Sequence, residues 1–373
     1  MADLFDYLQW RGDLSFRQSP ANRVDALIFS ALSYISFGGS VENRPEVPIL
    51  LKDAADEFFR LPDQDTRCRV KADLSLLMAA AETKRFGNTM LLQYRSHLVP
   101  EEETQFAAIT FLLDDNTGMI TFRGTDYSLV GWKEDFNMSF QETIPSQLLA
   151  LQYTREIAET YIMPLRICGH SRGGNLAVFA AVKSEDAVRD RIISVYNNDG
   201  PGFTEYLLRD PNYKEMVPKI RTIVPQSSVI GMLLEHEEPY TIIKSKTIGL
   251  LQHDPYTWEV MGPDFLPMEE ISADSRFFNL TIKTWLAGLT IEERNEIVDT
   301  VFDLLSVGDV DNVLDIIHPK NIRNYLRTLH ANGNIRRILS EEMVGLIEAA
   351  KKTQLELEAA QQQKKAESPS TKT

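Results

Sequence analysis

The spacing of hydrophobic positions changes twice along the chain, near residue 88 and near residue 281. Before residue 88, apolar residues recur at helical spacing, and we predict helices over residues 22–36 and 66–83. After residue 281 the helical spacing returns, which predicts helices over residues 294–305, 310–317 and 322–329. The chain ends in a polar run of Lys, Gln, Glu and Ala, for which we predict a helix that frays into a disordered tail.

The middle of the chain is dominated by short apolar runs separated by turn residues. One of these runs ends at residue 169, and residues 148–161 predict an amphipathic helix before it. The other predicted strands are 90–96, 104–114, 118–123, 192–197, 219–224 and 240–244. Strands that alternate with helices favour a mostly parallel sheet with helices on both faces. We therefore predict an α/β fold.

The same changes in spacing suggest how the chain is divided. We predict an N-terminal helical segment, residues 1–87, packed on an α/β core of residues 88–285. A C-terminal helical segment would follow over residues 286–350, and residues 351–373 would form the fraying helix and tail. We find no internal repeat.

One pentapeptide in the core carries recognisable chemistry: Gly169-His170-Ser171-Arg172-Gly173, a G-x-S-x-G sequence between an apolar run and a helical pattern. Strand, sharp turn and helix form the context of a nucleophile elbow, which presents a serine hydroxyl above a sheet. The glycines have a steric role, because strand and helix pack closely behind such a serine. We predict that Ser171 is a nucleophile.

A nucleophilic serine needs a base to take its proton. In the α/β-hydrolase arrangement the partners follow in the order Ser, acid, His. Of the six histidines, His253 and His236 lie in the right part of the chain. We favour His253, which follows the last predicted strand by a short loop. His236 stays open as the alternative, although its acidic neighbours favour a solvated loop.

The acid is chosen from the strand exits. Asp199 ends the strand after the elbow, in a glycine-rich exit that would hold a carboxylate at the sheet edge. The next strand leaves through Pro225-Gln226-Ser227-Ser228 and offers no carboxylate. We therefore predict Asp199 as the acid, with Asp254 and Glu235 as reserves.

An oxyanion intermediate needs donors. One would be the main-chain N–H of Arg172, directly after the nucleophile. The other would come from the loop Phe122-Arg123-Gly124-Thr125-Asp126, in which the Thr125 hydroxyl is a further donor. Downstream, Trp132 and Asp135 could anchor this loop.

These motifs resemble a known family. The sequences FRGTD and GWKEDF, followed by GHSRGG and a late histidine, are similar to those of class 3 (fungal-type) lipases of the α/β-hydrolase superfamily. Together with YNNDGPG, VPQSSVIGML and LLQHDPYTW they resemble a narrower family of bacterial lipase-like proteins, over roughly residues 85–265. The resemblance implies a serine ester hydrolase with Ser171 as nucleophile, His253 as base and Thr125 at the oxyanion site.

The chain departs from those lipases at two points. Their acid usually follows the next-to-last strand, where this chain has Ser227-Ser228, so Asp199 is supported by local reasoning only. Their residue after the nucleophile is usually apolar, whereas this chain has Arg172. A cation there could favour an anionic substrate, but we prefer a structural pairing with a carboxylate such as Asp126 or Asp135.

The amino-acid composition limits the kinds of molecule that the protein is expected to bind. The net charge of −15 argues against nucleic acid and against strong attraction to anionic membranes. No window reaches the length of a membrane span, and the first residues lack the features of a signal peptide. We expect a cytoplasmic protein, no disulfide framework, and neither cofactor nor metal. The expected partner is a small-molecule or lipid ester, with peripheral lipid contact and the oligomeric state left open.

Two other functions remain open from the sequence. The missing carboxylate after the next-to-last strand, and the helical segments at both ends, would suit a weakly active or inactive binding or regulatory protein. A thioesterase or peptidase would use the same serine chemistry.

Overall fold

The computed structural model describes residues 2–126, 128–308, 316 and 318–367. Its contacts divide the chain into two compact units, Met1–Glu270 and Ile271–Thr373. The first unit contains the sheet, the N-terminal helices and the helices that connect the strands. The predicted four-part division of the chain stays a prediction.

An eight-stranded sheet forms the centre of the first unit, and its strands lie side by side in chain order. The first four strands pair antiparallel with one another, and the fourth to the eighth pair parallel. The strands are β1 Ile49–Leu50, β2 Met90–Val99, β3 Thr104–Leu112, β4 Gly118–Phe122, β5 Leu165–His170, β6 Ile192–Asn198, β7 Ile220–Pro225 and β8 Tyr240–Ile243. A separate antiparallel pair joins β9 Val260–Met261 to β10 Asp264–Phe265. The α/β prediction is confirmed, and each predicted strand matches an observed one within a few residues.

The helices of the first unit complete it on both sides of the sheet. Five of these helices precede β2: α1 Leu4–Arg11, α2 Arg23–Leu32, α3 Leu51–Phe58, α4 Lys71–Glu82 and α5 Lys84–Gly87. The others follow β4: α6 Leu129–Asn137, α7 Pro145–Thr160, α8 Arg172–Lys183, α9 Asp186–Arg189, α10 Glu205–Leu208 and α11 Pro211–Met216.

The order of the strands decides which helices cover which face. Crossovers between neighbouring parallel strands are right-handed, so strands that follow one another in one direction place their connecting helices on the same face. In agreement, α7, α8 and α11 share one apolar cluster with sheet residues such as Ile120 and Ile167. The opposite face, which includes Met119 and Cys168, packs in another cluster with α1 to α4. The N-terminal helices therefore cover the face that the crossovers leave open.

A buried ion pair ties this N-terminal cover together. Arg85 of α5 and Asp25 of α2 pair through side chains that are both fully buried. The Arg85 guanidinium also donates to the carbonyl oxygens of Leu14 and Ser19, and lies 4.0 Å from the centre of the Phe16 ring. Because a buried charge is tolerated only when it is paired and hydrogen-bonded, these contacts hold α2 and α5 in one arrangement.

Helix boundaries follow capping side chains. The Asn22 side chain accepts from the N–H groups of Val24 and Asp25, so α2 begins directly after it, as predicted. Helix α4 begins at Lys71 instead of residue 66, because Asp73 caps the N–H of Val70 and a 3-10 turn precedes it. Helix α6 was not predicted; Ser128 begins it by accepting from the Gly131 N–H.

The second unit is helical over its described residues. It contains α12 Ala273–Ala287, α13 Ile291–Ser306, α14 Pro319–Ala331 and α15 Gly333–Glu367. Helix α13 begins directly after Thr290, where Thr290 and Glu293 cap each other's N–H groups. The helix predicted over residues 310–317 lies, except for residue 316, outside the described residues. Within the described ranges, no helix has both the length and the apolar character needed to cross a bilayer.

Candidate active site

The strand, turn and helix predicted around Ser171 are all present. Ser171 lies between the end of β5 and the start of α8, with φ 59° and ψ −137°. A Cβ on Gly169 would lie 2.1 Å from the Gly173 carbonyl carbon, and one on Gly173 would lie 2.2 Å from the Phe122 oxygen. No larger residue fits at either position. The two glycines of the pentapeptide therefore allow the close packing that the turn requires.

The Ser171 backbone is strained but well held. A positive φ at a residue with a side chain costs on the order of 1–3 kcal/mol and persists only where the surroundings impose it. Here the Ser171 N–H donates to the Asn198 oxygen at 3.0 Å, and the Gly174 N–H donates to the Ser171 oxygen at 2.8 Å. Strand β6 and the first turn of α8 thus fix the serine from both sides.

The structure brings His253 and Asp199 together. His253 Nδ1 lies 2.7 Å from Asp199 Oδ2. Asp199 directly follows β6, and its N–H extends the pairing with β7 by donating to the Ile223 oxygen at 2.8 Å. The carboxylate is fully buried, whereas the imidazole is partly exposed. A neutral His253 must therefore carry its proton on Nδ1, which leaves Nε2 as the acceptor.

Ser228 supplies a partner for Asp199 that the sequence reasoning missed. Its hydroxyl donates to Asp199 Oδ1 and accepts the Gly231 N–H at 3.1 Å. A Cβ on Gly231 would lie 2.2 Å from the same Oδ1, so the carboxylate fills the space beside this turn. At the exit of β7, where the sequence offers no acid, a hydroxyl thus holds the acid that arrives from β6.

The alternatives for base and acid have other partners. His236 bonds to Glu238 through Nδ1 and to the Gly231 oxygen through Nε2, both at 2.9 Å. The side chains of His236 and Glu238 are at most 5% exposed, so the prediction of a solvated loop was wrong for these two, although Glu235 and Glu237 are exposed. Asp254 lies 3.6 Å from Arg69, and the main chain of Glu235 pairs with that of Phe203.

The loop after β4 lies against the serine. A Cβ on Gly124 would lie 2.9 Å from Ser171 Cβ, so only glycine allows this approach. The Thr125 hydroxyl donates to Asp135 Oδ2 at 2.5 Å, and a hydroxyl has one proton to give. Asp135 therefore anchors the loop, as predicted, and occupies the hydroxyl that was expected to be a further oxyanion donor. Trp132, the other expected anchor, is 42% exposed, and its role stays a prediction.

The Arg172 side chain points away from solvent into a buried polar cluster. Its Nη1 lies 2.8 Å from Glu134 and 3.3 Å from Asp135, and its Nη2 donates to the Gln105 oxygen at 2.8 Å. The preferred structural pairing with Asp135 is therefore present, whereas Asp126 lies 3.8 Å from Arg123 instead. Burial raises the pKa of Asp135 to about 6, although the Arg172 charge opposes this shift.

Glu134 is the centre of that cluster and was not predicted. Besides Arg172, it accepts the N–H groups of Gln105 and Ser146, both at 2.9 Å. It therefore joins β3, the start of α7 and the start of α8 through one buried carboxylate. The sequence did hold a signal for this pairing: GWKEDF contains two acidic residues, and the arginine after the serine needs an acidic partner.

His170 links the elbow to the loop that carries His253. Its Nε2 lies 2.7 Å from the His253 carbonyl oxygen and its Nδ1 lies 2.9 Å from the Tyr34 hydroxyl. Burial, with the nearby His253 and Arg69, lowers the pKa of His170 well below 6.5. The neutral ring has one N–H, and a carbonyl only accepts, so Nε2–H donates to His253 and Tyr34 donates to Nδ1.

We expect His170 to make the protein less stable at acid pH. Its pKa is lower in the folded than in the unfolded chain, so its contribution to stability is complete above pH 6.5 and is lost as the pH falls. Between pH 7.5 and 5, the unfolding free energy of the wild type should therefore fall by more than that of His170→Gln. Urea unfolding across this range measures the difference, and parallel pH curves for the two proteins would contradict the assignment.

Among the described residues, no group of three or more His, Cys, Asp or Glu side chains is arranged to hold a metal ion.

No curated protein and no solved structure gives a significant match to the chain. The family model described as Mbeg1-like matches residues 80–303, more than half of the chain, and this range includes Ser171, Asp199 and His253. The chain belongs to the Mbeg1-like family, a lipase-like family.

Proposed function

We propose that the protein is a serine hydrolase that cleaves carboxylic esters through an acyl-enzyme on Ser171, with His253 as base and Asp199 as acid. The observation that carries this proposal is the 2.7 Å contact between His253 Nδ1 and the buried Asp199, at the same sheet edge as the Ser171 elbow. A carboxylate on Nδ1 orients the imidazole and stabilises the imidazolium that forms when the serine loses its proton.

The chemistry requires two displacement steps. In the first, Ser171 Oγ attacks the ester carbonyl carbon while its proton moves to His253 Nε2; the tetrahedral intermediate then expels the alcohol, which takes that proton. In the second, water attacks the acyl-enzyme and gives its proton to His253, and collapse releases the acid and restores Ser171. No cofactor or metal enters either step.

The oxyanion would be held by main-chain donors. Arg172 is the first residue of α8, so its N–H is one of the helix donors without an intrahelical partner. The helix dipole adds partial positive charge at the same place. Thr125 would contribute its main-chain N–H, with its hydroxyl holding Asp135 and so fixing the loop. In this proposal Arg172 contributes its backbone, and its side chain holds the neighbouring elements.

The surface beside His253 supports an uncharged, apolar substrate. Ile248, Leu250 and Leu251 immediately precede His253 and are largely exposed, Ile248 to 80%. An acyl chain or a lipid ester would find apolar contacts there, whereas the net charge of −15 opposes anionic substrates. We propose a small-molecule or lipid ester as the substrate and the cytoplasm as the location.

The other functions differ in what supports them. The non-catalytic alternative depended on a missing acid and on the helical segments at both ends, and the contact of Asp199 with His253 weakens the first ground. A thioesterase or peptidase would share the triad and the oxyanion donors, so a substrate panel must separate them.

A fluorophosphonate probe, which reacts with activated serines, tests the proposal. We expect one covalent adduct, mapped to Ser171 by mass spectrometry. His253→Ala should slow the labelling by on the order of 10²–10⁴-fold, the usual contribution of a positioned base. His236→Ala, which removes a histidine bound to a different carboxylate, should label at the wild-type rate.

An adduct at any other residue, or a wild-type protein that resists the probe, would overturn the proposal. Short p-nitrophenyl esters, the matching thioesters and a peptide library then distinguish the three reaction classes. We expect the esters to be the fastest.

A further inference from the structure

Three residues from before the family-matched range hold the loop that carries His253. Tyr34 reaches it through His170, whose Nε2–H donates to the His253 oxygen at 2.7 Å. The Arg69 guanidinium lies 3.6 Å from Asp254. Asp73 accepts the Tyr256 hydroxyl at 2.7 Å. The Mbeg1-like match begins at residue 80, so these three residues lie outside the range that the family model matches.

The two routes through Tyr34 and Arg69 support each other. The Arg69 guanidinium stacks over the ring of the buried Tyr34, 4.3 Å from its centre, and the Arg69 side chain is itself only 11% exposed. Burial raises the pKa of Tyr34 to about 12, which keeps its hydroxyl a donor. Because His170 is neutral, both hydrogen bonds run the same way: Tyr34 donates to His170, and His170 donates to the His253 oxygen. The rings of His170 and His253 also lie 4.6 Å apart, centre to centre.

We propose that Tyr34 and Arg69 are positioning residues for His253, and that the N-terminal segment thereby completes the active site of the family core. This inference rests on the proposed function. Asp199 fixes the imidazole at Nδ1, and the N-terminal segment fixes the main chain of the same residue. Two fixed points determine where Nε2 lies, and a misplacement of about 1 Å in a reacting group costs on the order of 10²-fold in rate.

Tyr34→Phe tests the proposal, because it removes one hydroxyl and keeps the ring beneath Arg69. We expect kcat for p-nitrophenyl ester hydrolysis to fall by about 10–100-fold with KM changed by less than about threefold. Arg69→Met, which keeps most of the side-chain length and removes the charge, should act in the same direction.

Tyr153→Phe is the matched control. Tyr153 is another fully buried tyrosine, and its hydroxyl bonds to Thr110 and to the Gln93 oxygen, away from the His253 loop. It should lose similar stability and keep the wild-type kcat. Equal kcat values for Tyr34→Phe and Tyr153→Phe would overturn the positioning role, since a purely structural hydroxyl would affect both alike.

Hydrogen exchange of residues 249–258, followed by mass spectrometry, supplies a readout that needs no activity. We expect this loop to exchange faster in Tyr34→Phe and Arg69→Met than in Tyr153→Phe. Unchanged exchange would overturn the inference even in an active enzyme. Conversely, a wild-type protein that does not label at Ser171 refutes the proposed function, and the exchange result then still decides whether the N-terminal segment holds the loop.

Discussion

Ser171→Ala is expected to lower kcat for p-nitrophenyl ester hydrolysis by about 10⁶-fold, as loss of the nucleophile does in serine hydrolases. Alanine cannot form the acyl-enzyme, and the remaining oxyanion donors stabilise only a slow direct attack by water. The fold should persist, because the hydrogen bonds that hold Ser171 in place use its main chain. Steady-state kinetics and thermal unfolding of the same preparation measure both effects.

Two further variants separate the hydroxyl from the backbone. Ser184→Ala removes another buried serine hydroxyl, at the far end of α8, and should keep the wild-type kcat. Ser171→Gly should be as inactive as Ser171→Ala but more stable than it, because glycine adopts the φ of 59° without a Cβ clash. Substantial ester hydrolysis by Ser171→Ala would assign the activity to another residue.

Asp199→Asn is expected to lower kcat by about 10⁴-fold. An amide keeps the shape of the carboxylate but cannot stabilise an imidazolium, and its NH₂ group favours the wrong His253 tautomer. Since Ser228 donates to the other oxygen of Asp199, the asparagine can still bond there and the local fold should survive. The measurement is kcat and kcat/KM for the same esters, together with the rate of fluorophosphonate labelling.

Glu238→Gln is the control for Asp199→Asn. Glu238 is also a buried carboxylate at 2.9 Å from a histidine, His236, and it also accepts a hydroxyl, from Thr222. Its replacement should cost stability without lowering kcat by more than a few-fold. If both substitutions lower kcat equally, the loss at Asp199 reflects damage to the fold, and the acid must be sought elsewhere.

The sequence predicted the parts of the site that depend on local patterns. The G-x-S-x-G turn, the strand exits and the order of residues along the chain were enough to predict Ser171, Asp199 and His253. Their roles stay predictions, but the contact between the last two was expected and is present. Parallel strands end at one edge of the sheet, so residues at their exits meet regardless of the intervening length.

Contacts across large sequence separations were not predictable in this way. Tyr34 and His170 are 136 residues apart, and no period or motif connects them. Glu134 was not predicted, because the short helix that carries it has Gly and Trp among its residues and little helical periodicity. His236 misled in the opposite sense: its acidic neighbours suggested solvent, but one of those acids is its buried partner.

The cover of one sheet face by N-terminal helices has a consequence for biosynthesis. Residues 1–87 leave the ribosome before strands β2 to β8 do, carrying apolar side chains such as Phe29 and Leu32 whose partners on the sheet do not yet exist. At typical elongation rates the strands up to β8 follow over roughly 10–30 s, during which that surface has no sheet to cover. The nascent chain is therefore a natural client for chaperones in this interval. His253, the proposed base, emerges after every strand of the main sheet, so it can take its place only when the whole sheet is available to hold it.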